Sequence, residues 1–376
     1  MKILNKLNDF GQIIIDLNAI RFNYKEIKKK IGLNSNIAAV LKSDAYGLGV
    51  NKIAQTLQKA GCNQFFVATV NEGIKLRRIL KTSDILILNG ITNQSSYYLK
   101  KISNLKLTPV LNSQAEIKEW YDYNKSLNTN FPVALHFDSG MNRLGISMSE
   151  LENVKSLVLK FNTNIYCIMT HLSSADDALQ KSNEIQKKEL SKIKKSFMNV
   201  PLSIANSNAI FNLYNYNFSF VRSGGALFGI NPRKNKKNPL KNVISLFARV
   251  IQIRELQNES LKMIGYNSTY QVQSQMRIAV LGVGYADGYP RNLSNLGFAF
   301  FKKVKLPIVG RISMDYITVD LSGLQENKIK QGDWVELIGN NIKIEQISNL
   351  SETIEYEILN NLGYRLKKSY INNKNE

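Results

Sequence analysis

Residues 65–89 of the chain read FFVATVNEGIKLRRILKTSDILILN. A short apolar run, FFVAT, begins this segment, and a second one, ILILN from Ile85, ends it. Between them, the residues from Glu72 to Leu80 follow the period of an amphipathic helix. Apolar runs that are this short and continuous are typical of parallel strands buried on both faces. The segment therefore predicts a strand, a helix and a second parallel strand.

The same kind of run occurs eight times in the first 225 residues. The runs begin near Ala38, Phe65, Ile85, Thr108, Val133, Ile165, Ser203 and Phe220. Helical patterns such as Asn51 to Ala60 separate most neighbouring runs. Eight βα repeats over about 200 residues predict an α/β fold, a TIM-type (β/α)8 barrel.

The sequence changes character after the eighth run. The stretch Asn231–Pro239 reads NPRKNKKNP, which is polar, basic and bracketed by prolines, as linkers often are. From Leu246 to about Ile338 the pattern alternates, for example over Phe247–Ile253 and Ile278–Val283, with glycine-rich turns between the segments. This pattern predicts a C-terminal, mainly β domain of antiparallel strands.

The chain length of 376 residues fits this division. We predict that the barrel covers residues 1–240 and that the C-terminal domain covers residues 241–376. The sequence leaves open whether the first few residues pack with the C-terminal domain, and it leaves the structure of Ile354–Tyr370 open as well.

The charge balance is unusual: 50 Lys and Arg against 29 Asp and Glu give a net charge of +21. Such a charge suggests a polyanionic partner, but it also fits a chain in which solvated lysines are abundant everywhere. Nucleic-acid-binding proteins cluster basic and aromatic side chains on one element, whereas this chain has only a short basic cluster from Arg233 to Lys241. We predict no nucleic-acid partner.

Cysteine and histidine are scarce. Cys62 and Cys167 are the two cysteines, and His136 and His171 are the two histidines, so neither a disulfide framework nor a zinc cluster is expected. This usage is typical of the reducing cytoplasm. The apolar run Ile13–Ile15 is too short for a signal core, and no run approaches a membrane span of about 18 residues. We predict no membrane association and no metal.

Polar residues follow the predicted strands at the end of the barrel where catalytic groups usually lie. These segments are Lys42–Gly49 after the first run, Asp138–Arg143 after the fifth, Thr170–His171 after the sixth, Asn206–Ser207 after the seventh and Arg222–Gly225 after the eighth. We therefore expect the functional site at this end of the barrel.

The last two of these segments suggest a phosphate site. Barrels often bind phosphate with the loops after strands seven and eight, and Ser207, Gly224 and Gly225 offer a hydroxyl and backbone N–H groups. Barrel closure would bring Lys42 next to them, which is the arrangement of a pyridoxal phosphate Schiff base. Alone, such a lysine is usually a solvated charge and a glycine pair usually a tight turn. Their coincidence at adjacent strand ends favours a cofactor site.

The segment AVLKSDAYGLG resembles the pyridoxal-lysine signature of the alanine racemases. DSGMNRLG, THLSSADD, IANSN, VRSGG, GVGYADGYPR, VGRISMD and IEYE resemble further segments of that family, in family order between about residues 10 and 370. The resemblance implies a barrel with a C-terminal β domain and pyridoxal 5'-phosphate as cofactor. It also implies a cytoplasmic isomerase that interconverts L- and D-alanine and supplies D-alanine for peptidoglycan.

The resemblance implies two catalytic bases. Lys42 would hold the cofactor as an aldimine and would serve as the base on one face of the substrate's α-carbon. Tyr285 would be the base on the opposite face, delivered by a second subunit, so that a homodimer shares its active sites. His171 would hydrogen-bond Tyr285. Arg222 would face the pyridine nitrogen without protonating it, which weakens the ring as an electron sink and favours proton transfer over transamination.

Binding residues are implied in the same way. The residues that match the family's cofactor contacts are Lys42, Tyr46, His171, Ser207, Arg222, Gly224, Gly225 and Tyr356. Arg143 and the backbone of Met314 match the groups that hold the carboxylate of a small amino-acid substrate. Away from these motifs, tyrosines such as Tyr285 and Tyr356 are more often ordinary half-buried aromatics, and a methionine is more often core filling.

The chain departs from the family pattern at His136. Many members have a carboxylated lysine at this position, seven residues before Arg143, so the carbamate is not carried over. His136 either packs as a strand residue or supports Arg143 in another way. Leu48 and Gly225 also differ from common family residues, and neither change removes a required group.

Two alternatives remain open. A racemase of broader or shifted specificity, for example for serine, would share every motif. A non-catalytic pyridoxal phosphate-binding protein would need Lys42 but not Tyr285, so the presence of both residues counts against it.

Overall fold

The computed structural model describes residues 9–92, 94–233, 236–257, 262–272, 275–325, 328–363 and 365–372. The chain forms two compact units. Ile20–Ala45 and Gly49–Lys241 form the first, which we call the barrel unit. The described residues of Met1–Ala19, Tyr46–Leu48 and Asn242–Glu376 form the second, which we call the β unit.

The barrel unit is built on eight parallel strands in one sheet, each named below by its order along the chain. The strands, from first to eighth, are Asn36–Val40, Gln64–Val67, Asp84–Ile87, Thr108–Leu111, Val133–Asp138, Ile165–Met169, Leu202–Ser203 and Phe220–Ser223. Each overlaps one of the eight predicted runs. A two-residue strand, Ile146–Ser147, pairs with the fifth.

Hydrogen bonds join the last strands to the first. The eighth strand pairs in parallel with the first, with Arg222 opposite Ala38. Between the seventh and eighth strands, the Arg222 N–H donates to the Ala205 carbonyl (2.9 Å) and the Ser219 N–H to the Leu202 carbonyl (3.0 Å). The predicted (β/α)8 barrel is thereby confirmed.

Apolar side chains from seven of the eight strands fill the barrel interior in one buried cluster. Its members are Ala38, Phe66, Leu86, Val110, Ala134, Cys167, Met169 and Phe220. Burial of this cluster favours folding through removal of apolar surface from water. The strand ends are thus held on a packed core rather than around a pore.

Helices follow most of the strands. The right-handed α-helices that precede the eighth barrel strand are, in chain order, Leu17–Ile31, Val50–Lys59, Val70–Ile79, Ser96–Asn104, Gln114–Ser126, Leu151–Phe161, Lys181–Ser196 and Ser207–Asn212. The amphipathic segments predicted over Asn51–Ala60 and Glu72–Leu80 are confirmed as helices. Among the described helices, none has both the length and the apolar character to cross a lipid bilayer.

The β unit contains an eight-stranded, mainly antiparallel sheet. Its strands are Gly11–Asp16, Ile244–Leu256, Met276–Leu281, Phe298–Phe301, Val304–Pro307, Ile317–Asp320, Trp334–Ile338 and Lys367–Ile371. The long strand Ile244–Leu256 pairs with three others, and its side chains alternate between buried and partly exposed along most of its length. The prediction of a C-terminal, mainly β domain is confirmed.

The N-terminal strand Gly11–Asp16 belongs to this sheet, antiparallel to Ile244–Leu256 and parallel to Lys367–Ile371. The region that the sequence left open contains a short helix, Glu355–Asn361, and that last strand. The short helix Ile344–Leu350 precedes it, and the small strands Met263–Ile264 and Tyr270–Gln271 form a separate pair.

The chain passes between the two units at four points, and the one near the predicted domain boundary lies between Lys241 and Asn242. The described part of the predicted linker Asn231–Pro239 belongs to the barrel unit. Lys234 and Asn235 of that linker lie outside the described residues.

Candidate active site

The first strand ends in an unusual turn that carries Lys42. Ser43, Asp44, Ala45 and Tyr46 all have φ between 53° and 57°, the left-handed region of the backbone. A left-handed conformation costs roughly 1–2 kcal/mol per L-residue, since Cβ approaches the following carbonyl oxygen. Specific contacts must therefore hold this turn.

Those contacts come from the turn itself and from the helix Val70–Ile79. The Ala45 N–H donates to the Leu41 carbonyl (3.0 Å), and the Ser43 N–H donates to Glu72 Oε1 (2.6 Å). Lys75 Nζ lies 2.7 Å from Asp44 Oδ1 in a solvent-exposed ion pair. The helix Val70–Ile79 thus stabilises the turn after the first strand through Glu72 and Lys75.

The amine of Lys42 is influenced by one cation and one carboxylate. Partial desolvation lowers the pKa of Lys42 below its ordinary value, the charge of Arg143 lowers it further, and the Glu72 carboxylate opposes both. A lowered pKa increases the fraction of neutral amine, the form that acts as a nucleophile or base.

Arg222, on the eighth strand, is a buried cation with neutral partners. It is 4% exposed. Its Nη1 donates to Ser203 Oγ (2.7 Å), and its Nη2 donates to the Thr170 carbonyl (2.6 Å) and to His171 Nδ1 (3.3 Å). Burial lowers the pKa of Arg222 to about 10, so the guanidinium still carries its proton at neutral pH. Within the described residues, no carboxylate pairs with it.

His171, at the end of the sixth strand, is neutral. Burial lowers the pKa of His171 to about 3, and the charge of Arg222 acts in the same direction. Because a guanidinium can only donate, Nδ1 of His171 accepts the bond from Arg222. The neutral ring therefore carries its proton on Nε2, which is free to serve as a donor.

His136, on the fifth strand, is also neutral but has the opposite tautomer. Burial lowers the pKa of His136 to about 4, with Arg222 adding to the effect. Its Nδ1 lies 2.8 Å from Asn112 Oδ1. The Asn112 amide nitrogen donates to the carbonyls of Val110 (2.9 Å) and Leu88 (3.3 Å), which identifies Oδ1 as an acceptor. His136 must then donate from Nδ1 and keep a lone pair on Nε2.

The loops after the seventh and eighth strands form a buried cluster of donors. The N–H groups of Gly224 and Ala226 both donate to Ser207 Oγ, at 3.1 and 3.2 Å. Gly225 begins the 3-10 turn Gly225–Phe228. Converging backbone N–H groups and a hydroxyl are the donor set that phosphate-binding loops use.

Arg143 lies in the loop after the fifth strand. Asp138 Oδ1 accepts the N–H groups of Gly140 (2.9 Å) and Met141 (2.8 Å), which shapes this loop. Burial favours the neutral form of Asp138, but backbone hydrogen bonds outweigh it and lower the pKa of Asp138. The exposed Arg143 has no side-chain hydrogen bond or ion pair within the described parts of the chain, so its fork of donors can take a carboxylate.

In the β unit, two turns bring Tyr285 and Met314 together. The Tyr285 N–H donates to the Ser313 carbonyl and the Ala286 N–H to the Met314 carbonyl, both at 3.0 Å. Tyr285 and Met314 are 40% and 53% exposed. Such exposure is unusual for an apolar pair that only fills a core.

A charged group ties the same two turns. Arg365 donates through Nε and Nη2 to the carboxylate of Asp287 (3.1 and 3.0 Å) and through Nη1 to Asp315 Oδ1 (2.9 Å). Asp287 Oδ2 also accepts the Gly284 N–H (3.0 Å). The 3-10 turn Tyr285–Asp287 is thereby fixed to the segment after Met314.

Tyr46 and Tyr356 form a second pair in the β unit, with ring centroids 5.8 Å apart. Burial raises the pKa of Tyr356 to about 12, and burial raises the pKa of Tyr46 well above its ordinary value. Both phenols therefore keep their protons at neutral pH and can donate a hydrogen bond to an anion.

The barrel unit thus places His171 within electrostatic reach of Lys42, Arg143 and Arg222, and it joins Ser207 to Gly224. The β unit joins Tyr285 to Met314 and Tyr46 to Tyr356. Sequence reasoning missed three supporting residues. The capping pattern from Thr69 to Glu72 was a visible signal for Glu72, whereas Asn112 and Arg365 had no sequence signal that we recognise.

Comparison with known proteins extends over both units. Residues 15–232 match the alanine racemase N-terminal domain, and residues 243–370 match the alanine racemase C-terminal domain. The catabolic alanine racemase of Agrobacterium fabrum is 39% identical over 366 residues, which cover 96% of this chain and 92% of that protein. An alanine racemase of Rickettsia bellii is 40% identical over 343 residues, which cover 90% of this chain and 82% of that protein.

The fold agrees with solved structures. Alanine racemase from Bartonella henselae, solved with covalently bound pyridoxal phosphate, is similar with a TM-score of 0.90 and 35% identity, over 96% of this chain and 100% of that one. Alanine racemase from Acinetobacter baumannii is similar with a TM-score of 0.86 and 29% identity, over 96% of this chain and 99% of that one. Since both domains match in order and at this identity, the resemblance noted from the motifs is confirmed, and the chain belongs to the alanine racemase family.

Proposed function

We propose that this protein is a pyridoxal phosphate-dependent alanine racemase, an isomerase that interconverts L- and D-alanine. The observation that carries this proposal is the convergence of Lys42 with a buried, uncompensated Arg222 and a neutral His171 in one barrel unit. Family membership supports the same activity.

The residues present fit the cofactor. Arg222 is a buried cation without an acidic partner in the described chain, so it suits an electron-rich pyridine nitrogen. Ser207, Gly224 and Gly225 suit a phosphate, since the first two already form a buried donor cluster. Tyr46 and Tyr356 are protonated phenols, which can donate a hydrogen bond to an anion such as a phosphate. When bound, pyridoxal phosphate withdraws electrons from the substrate's α-carbon and acidifies its proton.

The proton moves between two bases in this proposal. Lys42 accepts or returns it on one face of the α-carbon, and its lowered pKa provides neutral amine closer to physiological pH. Tyr285 acts on the opposite face. In the proposed arrangement, the Nε2–H of His171 donates to the Tyr285 oxygen and orients it.

The substrate carboxylate binds to Arg143 and to the backbone at Met314. A free guanidinium fork suits a carboxylate because two parallel hydrogen bonds fix its orientation. Alanine and serine carry this same group, so the choice between them depends on the space around the substrate's side chain. Broader specificity remains the alternative within this class.

A homodimer completes the site in our proposal, with Tyr285 supplied by the second subunit. The exposure of Tyr285, Met314 and Tyr316, which are 40%, 53% and 49% exposed, supports an interface on the β unit. Dilution of the enzyme to a monomer would then remove activity in proportion to the loss of dimer.

The D-alanine product supplies peptidoglycan synthesis in the cytoplasm in this proposal. Cys62 and Cys167 are free and buried, which fits a reducing compartment. The relative from Agrobacterium fabrum is named catabolic, so growth of a deletion strain with and without D-alanine is the deciding measurement. A strain that grows without D-alanine would contradict the biosynthetic role.

The activity is tested on the purified protein by circular dichroism with L-alanine and, in parallel, L-serine. We expect a visible absorbance that borohydride removes and a decay of the L-alanine signal that exceeds the L-serine decay. A colourless, inactive protein would contradict both cofactor and activity. A coloured protein that leaves both amino acids unchanged would support the non-catalytic alternative.

The two-base assignment is tested with Lys42→Ala and Tyr285→Phe. Each variant should lose exchange of the α-proton with deuterated solvent for at least one enantiomer, with kcat at least about 100-fold lower, because general base catalysis contributes roughly 10²–10⁴-fold. Tyr214→Phe, at a tyrosine of the barrel unit that is 87% exposed, is the matched control and should keep wild-type exchange. Wild-type exchange in either base variant would reject its role.

A further inference from the structure

Glu72 makes contacts at two strand ends. Its Oε1 accepts the Ser43 N–H (2.6 Å), directly after Lys42 at the end of the first strand. Its Oε2 accepts the N–H groups of Ala68 (2.8 Å) and Thr69 (3.1 Å), which follow the second strand. One carboxylate therefore joins the turn that carries Lys42 to the neighbouring loop.

A helix cap accounts for only half of these contacts. Thr69 Oγ1 accepts the Glu72 N–H (3.3 Å), and with the Thr69 N–H this completes a capping box at the start of Val70–Ile79. A capping box needs no bond to another segment. The Ser43 contact lies outside the helix, and it is the shortest of the bonds that Glu72 accepts.

The position of this contact matters because Ser43 begins the left-handed turn, with φ 55° and ψ 48°. A charge-assisted hydrogen bond from a backbone N–H is about twice as strong as a neutral one. Glu72 thus holds the strained backbone at the residue next to Lys42, where a small displacement would move the amine.

The charge of Glu72 also acts on Lys42. The charged and titratable groups that interact with Lys42 are Arg143, Glu72 and His171. Arg143 lowers the pKa of Lys42 and Glu72 raises it, while His171 is neutral. Glu72 therefore supplies a negative charge that partly offsets the effect of Arg143 on the pKa of this amine.

We infer that Glu72 is a positioning residue for Lys42, which fixes the Ser43 turn through its backbone and holds a negative charge beside the amine. The inference rests on the proposed function, in which Lys42 is one of the two bases. Glu72 itself needs no contact with substrate or cofactor in this role.

The test compares Glu72→Gln with Thr69→Ala in the holoenzyme. Glutamine has one oxygen for the N–H donors of two strand ends, so the bridge is lost together with the charge. Thr69→Ala weakens the same helix cap but leaves the Glu72 carboxylate in place. Hydrogen–deuterium exchange at the Ser43 amide and the pH profile of kcat are measured for both variants and for the wild type.

For Glu72→Gln we expect faster exchange at Ser43 and a kcat lower by about 10- to 100-fold, the equivalent of one charge-assisted hydrogen bond. In the direction in which Lys42 accepts the α-proton, the acidic limb of the kcat profile should move to lower pH, because a lost negative charge favours the neutral amine. Thr69→Ala should lower the melting temperature and leave Ser43 exchange and the limb unchanged.

A wild-type value of either Ser43 exchange or the acidic limb in Glu72→Gln would overturn the inference. If Glu72→Gln does not fold, Glu72→Asp takes its place, because it keeps the charge and shortens the reach to Ser43. Faster Ser43 exchange in Glu72→Asp would then support the role, and unchanged exchange would refute it. A wild-type protein without racemase activity would instead reject the proposed function, while Ser43 exchange would still report whether Glu72 holds the turn.

Discussion

His136 and His171 lie on neighbouring strands of the barrel, and their surroundings impose opposite proton positions. Burial keeps both rings neutral, with pKa values of about 4 and about 3. His171 faces Arg222, which can only donate, so its proton lies on Nε2. His136 faces an acceptor, the oxygen of Asn112, so its proton lies on Nδ1. Two identical side chains thus offer opposite functions on their remaining nitrogens, a donor on His171 and an acceptor on His136.

The role of each histidine therefore depends on the partner of its Nδ1 more than on its place at a strand end. Arg222 makes His171 a donor, which is the role that the proposed function assigns to it. Asn112 makes His136 an acceptor through Nε2. An acceptor there can support a cation such as Arg143 without carrying a negative charge.

The first prediction compares the kcat values of two substitutions at His171. Glutamine places an amide near the position of Nε2, whereas asparagine places one near Nδ1. We expect His171→Asn to lower kcat by about 10- to 150-fold, the value of a hydrogen bond to a charged group, and His171→Gln to lower it less. Steady-state racemisation of L-alanine measures both, with melting temperature as the control. Equal kcat in the two variants would mean that the Nε2 proton has no catalytic part.

The second prediction concerns the free energy of unfolding. At His136, asparagine should be the better replacement and glutamine the worse, the opposite of the order at His171. Asparagine retains a donor near Nδ1 for Asn112, and glutamine does not. We expect His136→Gln to lower the free energy of unfolding by about 1–3 kcal/mol, because the buried Asn112 oxygen is left unpaired, and His136→Asn to lower it less. Urea unfolding followed by far-UV circular dichroism gives both values. If glutamine proves to be the better replacement, the assigned tautomer of His136 is wrong.

The third prediction concerns the pH dependence of stability, and its effect at any one pH above about 5.5 is small. The pKa of His136 is about 4 in the folded chain and near 6.5 when unfolded, so the unfolded state binds more protons between these values. The contribution of His136 to the free energy of unfolding should be fully present above pH 6.5, and it should be lost as the pH decreases toward 4. His136→Asn should reduce this slope by up to about 1.4 kcal/mol per pH unit, since one titrating group is removed. Urea titrations at pH 4.5, 5.5 and 6.5 would reveal the change, and an unchanged slope would contradict the burial of a neutral ring.

Much of the barrel could be predicted because its strands are short, continuous apolar runs such as VALHFD from Val133. The placement of Lys42, His171 and Arg222 at or near strand ends could be predicted, because each one follows or ends an apolar run. The left-handed turn from Ser43 to Tyr46 could not, since it contains no glycine and its conformation depends on contacts from a different helix.

The supporting residues were harder for the same physical reason. The pattern from Thr69 to Glu72 predicts a helix cap. The hydrogen bond from the Ser43 N–H to Glu72 Oε1, however, depends on how two βα units pack together. Asn112 meets His136 across adjacent strands, and no spacing along the chain encodes that contact. The tautomers of His136 and His171 follow from their hydrogen-bond partners, so they could be assigned only from the structure.

The turn after Lys42 has a consequence for efforts to make this protein more heat-resistant. Ala45 is fully buried with φ 57°, and glycine would remove the steric penalty of that conformation. A search for thermostable variants would therefore select Ala45→Gly, yet glycine would also let the segment beside the amine relax into other conformations. Heat resistance and turnover should diverge at this position, so stabilising substitutions belong on the outer helices instead.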